Sequence, residues 1–73
     1  MRDKRQKFVD LAEKRVSRVI KDIRLVGNLS NRSNYVFRDD EVRKIFAAIE
    51  NETRAARKRF EGAGESDGAV FKL

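Results

Sequence analysis

The chain has 73 residues, with 18 Lys and Arg against 12 Asp and Glu, a formal net charge of +6, and no His, Cys, Trp or Pro. Those absences exclude zinc fingers, haem ligation by His or Cys, disulfide frameworks and nucleophile systems that use Cys or His. The length predicts one domain without a large catalytic cleft. The longest apolar run, Ile45 to Ile49, is five residues, too short to span a bilayer.

The basic start, Met1 to Lys7, leads into no apolar segment, so a secretory signal is not expected and the predicted location is cytoplasmic. A first helix is predicted from about Asp3 to Val26. Its apolar positions are Phe8, Leu11, Ala12, Val16, Val19, Ile20, Ile23 and Val26, spaced by three and four residues. Gly27 is placed to end it in the left-handed conformation. Lys21 and Arg24 are expected in the last turn, where cations favour the negative end of the dipole.

Residues 27–38 form the predicted loop. Asn28, Ser30, Asn31, Arg32, Ser33 and Asn34 have side chains that bond nearby backbone and favour turns, and the same donors beside one cation suit a phosphate or a base edge. Leu29, Tyr35, Val36 and Phe37 are expected to pin this loop onto the helices.

A second helix is predicted from about Asp39 to Phe60, with Val42, Ile45, Phe46, Ile49, Ala56 and Phe60 on one side. Asp39, Asp40 and Glu41 crowd its first turn and Arg57, Lys58 and Arg59 its last, both in the sense the macrodipole favours. The three acids also raise a hard-cation site, but consecutive helical residues point apart and the dipole explains them better. With Arg38 at the cap, Phe37 and Val42 occupy the positions of a hydrophobic staple. Arg38 has no acceptor, so Asp39 is an alternative cap. Residues 61–73, rich in Gly and Ser at their start, are predicted to be a flexible tail.

At about 100° per residue, the apolar side chains of the second helix fall within a narrow arc, whereas Val9, Val16 and Ile20 widen the stripe of the first to about a half-circle. One antiparallel neighbour covers the former and not the latter. A two-helix hairpin of this size also lacks an adequate core. The expected architecture is therefore all-α, an antiparallel hairpin over residues 1–60 that dimerises through Val9, Val16 and Ile20 into a four-helix bundle. Arg15 and Asp22 project beside the same stripe. They either lie at its rim with their heads in water or form an interchain pair that fixes register.

Charge is uneven: residues 1–26 carry nine basic and four acidic side chains, and Arg32 adds a cation in the loop. Lys7, Lys14, Arg18 and Lys21 share one flank of the first helix. Such a flank either follows a phosphate backbone through counterion release or is an ordinary solvated face.

The stretches LAEKRV (residues 11–16), IKDIRLVGNLSNRSNY (residues 20–35) and VRKIF (residues 42–46) give the chain a resemblance to a family of small bacterial helical proteins. The resemblance spans about residues 7–60 and implies a bacterial, cytoplasmic protein. It brings no activity, site residues or cofactor. The residues themselves point to a nucleic-acid-contacting homodimer that uses Lys7, Lys14, Arg18, Lys21 and Arg32. The alternative is a protein-interaction module whose wide apolar face binds another polypeptide. Neither an enzyme, a metal site nor a membrane partner is expected.

Overall fold

The computed structural model describes residues 3–65, with side chains described to residue 62. The described residues are helical apart from the first residue and a connecting loop: α1 spans Lys4–Gly27, a 3₁₀ turn spans Asn28–Ser30, and α2 spans Asp39–Glu65. The chain divides between Val36 and Phe37 into two units, one holding α1 and the other α2.

Asp3 is the N-cap of α1, in an extended conformation at φ −86° and ψ 176°. Its carboxylate accepts from the Gln6 backbone N–H at 2.8 Å, and its carbonyl from Lys7 N–H at 3.1 Å. A short acceptor side chain at this position satisfies one of the amides that every helix start leaves without an intrahelical partner. The Gln6 side-chain amide then donates to Asp10 Oδ1 at 2.9 Å, one turn along.

The other end of α1 departs from expectation. Gly27 lies inside the helix at φ −60° and ψ −29°, and no described residue has a positive φ. The Asn28 N–H points back to the carbonyls of Arg24, Leu25 and Val26. The helix tightens into the 3₁₀ turn, which meets the terminal carbonyls without a left-handed residue. The chain then leaves at Asn31, with ψ 100°. Because α1 runs through Gly27, Arg24 is the cation of its last turn and Lys21 sits earlier.

At the start of α2 the Arg38 carbonyl accepts from Glu41 N–H at 3.0 Å and Val42 N–H at 3.2 Å. Arg38 is thus the residue at the cap position, yet its side chain accepts nothing. The missing bond is replaced from the other side, because Glu41 Oε1 accepts from the Arg38 backbone N–H at 2.8 Å. This is the returning half of a capping box. The Arg38 guanidinium turns onto the same acids, with Nε 3.0 Å from Asp40 Oδ1 and Nη2 3.7 Å from Glu41 Oε2. Phe37 and Val42 are both partly shielded, as a staple requires.

The far end of α2 also departs from expectation. The helix continues past Phe60 to Glu65, so Arg57, Lys58 and Arg59 lie inside it and its last turn has no cation. A Gly in a helix interior costs about 1 kcal/mol relative to Ala. Extending a nucleated helix, however, adds one backbone bond for each residue fixed. The predicted tail therefore begins at least five residues late, and residues 66–73 lie outside the described residues.

Among the described residues none is buried. On α1, Phe8 is 50% exposed, Val16 55%, Val19 57% and Ile20 46%, and on α2 Ile45, Phe46 and Phe60 are exposed as well. Leu29, Tyr35 and Val36, expected to pin the loop, are also exposed, Val36 completely. Fully burying one such Val, Leu, Ile or Phe side chain contributes about 1.5–3 kcal/mol. No helix among the described residues is long and apolar enough to cross a membrane.

Replacing Glu41 by Ala removes both the acceptor for Arg38 N–H and a first-turn anion. It should destabilise the start of α2 by about 1 kcal/mol. Amide hydrogen exchange should show about fivefold faster exchange at Val42, where Lys44→Ala should leave it unchanged.

Candidate nucleic-acid interface

Lys7, Lys14, Arg18 and Lys21 are all exposed on α1. At about 100° per residue they fall within about 60° of arc. Fourteen residues separate the first from the last, about 21 Å of helix axis. This is a cationic ridge, made by spacings of seven, four and three residues. Arg32 stands apart from it, exposed in the turn beyond the helix end.

The acids of α1 are partly engaged elsewhere. Asp3 caps the helix and Asp10 accepts from Gln6, so both are held by amide donors from the same residue. Arg5 places its guanidinium carbon 6.0 Å from the centroid of the Phe8 ring, at the outer limit of a cation–π contact. The spacing of three residues that brings them together was readable in the sequence.

The predicted dimer residues lie on a different sector of α1. Val9 is partly shielded and Val16 and Ile20 are exposed. By helical position they are at least about 100° of arc from each ridge cation. A partner seated on them leaves the ridge open.

The hydrogen bonds of the loop centre on one residue. Asn31 Oδ1 accepts from Ser33 N–H at 2.9 Å, and the Asn31 carbonyl accepts from both Asn34 and Tyr35 N–H at 3.0 Å. The result is an Asx turn enclosed by a backbone turn, which carries the chain away from α1. Asn31 Oδ1 is engaged in this turn, and the Asn28 backbone N–H in the helix end.

On α2, sequence reasoning treated Arg57, Lys58 and Arg59 only as dipole partners. With the helix extended they form, with Arg54, a second basic stretch of the helix interior. Arg54 Nη1 donates to Asn51 Oδ1 at 3.1 Å, and a shallow depression is lined by Glu50, Thr53, Arg54 and Arg57. One of its lining residues, Glu50, is an acid beside the two arginines. Asp40 and Glu41, raised as cation ligands, face the Arg38 guanidinium and backbone instead, and no group of metal-binding side chains occurs among the described residues.

Substituting Asn31 by Ala removes the acceptor for Ser33 N–H. The expected outcome is faster amide exchange at Ser33 and Tyr35 with the helical circular-dichroism signal unchanged. Ser30→Ala, which removes no such acceptor, should change neither. The chain matches no protein-family model, no curated protein and no solved structure, so the case for its function stands on residues and geometry.

Proposed function

We propose that this protein is a small accessory factor that self-associates and contacts nucleic acid. In this reading the two helices close as an antiparallel hairpin, and two hairpins join as a four-helix bundle with their apolar stripes inward. Lys7, Lys14, Arg18 and Lys21 then follow a phosphate backbone, with Arg32 adding a contact at the end. The observation that carries it is the separation of roles around α1: four exposed cations on one flank and the apolar stripe on another. Burying the stripe therefore does not cost the cations their exposure. Counterion release from the neutralised phosphates supplies affinity without base contacts.

A second reading, an interaction module for another polypeptide, is favoured by one specific observation. The described chain leaves most of its large apolar side chains exposed, and any apolar partner face would cover them. In that case the charges serve solubility alone.

The readings separate in a fluorescence-anisotropy titration with duplex DNA and single-stranded RNA. A dimer that neutralises six or more phosphates should lose about 10³-fold in affinity for duplex DNA between 50 and 200 mM salt. The Lys14→Glu, Lys21→Glu double variant removes four contacts per dimer, and should lower the salt slope on duplex DNA by about 3–4. Absence of saturable binding at 50 mM salt would overturn the nucleic-acid reading and leave the interaction module.

A further inference from the structure

The stripe on α1 has an internal order. Val9, Ala12, Val16, Val19, Ile23 and Val26 follow one another at alternating steps of three and four residues, a mean period of 3.5. That period keeps a seam facing one partner helix, with knobs seated in the partner's holes. Val9, Val16 and Ile23 take the first apolar position of each heptad and Ala12, Val19 and Val26 the second. Phe8, Arg15 and Asp22 flank the seam on one side.

Arg15 and Asp22 are the anomaly in this pattern. They sit beside the seam seven residues apart, about 10.5 Å along the axis. Among the described residues neither has an ion pair or a side-chain hydrogen bond within the chain. Seating an apolar partner on this face strips water from both, which is costly unless each finds an opposite charge. That requirement selects the partner and its direction.

We propose that this face docks against α1 of a second copy of the chain, antiparallel, about a two-fold axis between Ser17 and Arg18, with Arg15 of each copy paired to the partner's Asp22. The proposal rests on the self-association in the preceding reading and adds its register. In an antiparallel heptad pair the first apolar position of one helix meets the second of the other. Val9 then faces the partner's Val26, Ala12 the partner's Ile23, and Val16 the partner's Val19. The smallest side chain of the seam meets one of its largest, and symmetry repeats every layer.

The charges follow without adjustment. In this register Arg15 and the partner's Asp22 differ in height by about 3 Å. Helical side chains lean toward their own N-terminus, so across an antiparallel pair these two lean toward each other. The two-fold axis makes the pair twice. Phe8 falls beside the partner's Leu29, just past the end of its helix, and the two Ile20 side chains converge over the axis on the opposite flank. In a parallel pair Arg15 lies beside the partner's Ile20, and Asp22 beside the partner's Gly27, so both charges are stripped of water with no partner. The basic ridge lies nearly opposite the seam and stays outside.

The test is sedimentation equilibrium of the full chain and of Arg15→Asp, Asp22→Arg and the double swap. Each single reversal creates two like-charge pairs per dimer and should weaken dimerisation about tenfold. The double swap should restore it to within about threefold. A dimer indifferent to all three changes would overturn the register and leave self-association standing, whereas a wild-type chain monomeric at every concentration would overturn both. Cross-linking checks the direction with both charges intact, since the chain has no native Cys. Oxidation of a Val9→Cys, Val26→Cys chain should give a covalent dimer and Val9→Cys alone should not. Efficient cross-linking of the single variant would show a parallel pair and overturn the proposal.

Discussion

The constraint on which everything else depends is apolar surface that the described chain leaves uncovered. A half-circle of Val, Ile, Leu and Phe on α1 cannot be satisfied by one neighbouring helix, and with no described residue buried the helices hold mainly through their own backbone bonds and caps. Helices of 24 and 27 residues are long enough for propagation to outweigh the cost of nucleation. Yet most helical stability in proteins comes from packing an amphipathic face. This protein has the faces, and on the proposed self-association its stability depends on protomer concentration.

Where packing contributes little, the ends of the helices matter more. Asp3 starts α1 in the usual way, with a short carboxylate on a backbone amide. Arg38 starts α2 in an unusual way, with a side chain that cannot accept a bond and a Glu three residues on that reaches back to it. The acidic first turn then does two things together, since it complements the helix dipole and holds the guanidinium that would otherwise repel it. These exposed ion pairs contribute little individually. Their effect is to fix the start of α2 at Asp39, directly after the Arg38 cap, which sets the phase of the stripe that follows.

Both helices were legible in the sequence because three-and-four spacing over twenty or more residues has few competing explanations. Their ends were less so. Gly27 carries a left-handed signal, yet the structure ends α1 by tightening, since a 3₁₀ turn satisfies the same carbonyls and composition does not distinguish the two. Gly62 and Gly64 carry a breaking signal that propagation overrides. The capping role of Glu41 was readable from its distance to Arg38, but a capping box is normally recognised by its Ser or Thr, which is missing here. Of the candidate site, the ridge on α1 follows directly from helical periodicity. Asn31's work in the turn does not, because six polar residues in a row offer many equivalent bonding patterns and backbone geometry chooses among them.

The disposition of charge around α1 bears on both proposals. Solubility needs charged residues on the side away from the stripe and is indifferent to their sign. The ridge instead gathers four cations in about 60° of arc, while Asp3 and Asp10 are held by Gln6. Arg15 and Asp22 break the rule from the other side, with opposite charges set against the apolar seam where solubility gains nothing. Both departures have one economical cause if α1 meets its own copy. The seam requires a matched pair at its edge, and the two ridges, each nearly opposite its own seam, lie on opposite outer faces of the proposed pair. On the proposed reading electrostatics act in two ranges: at the seam they choose direction and register, and on each outer face they attract a polyanion.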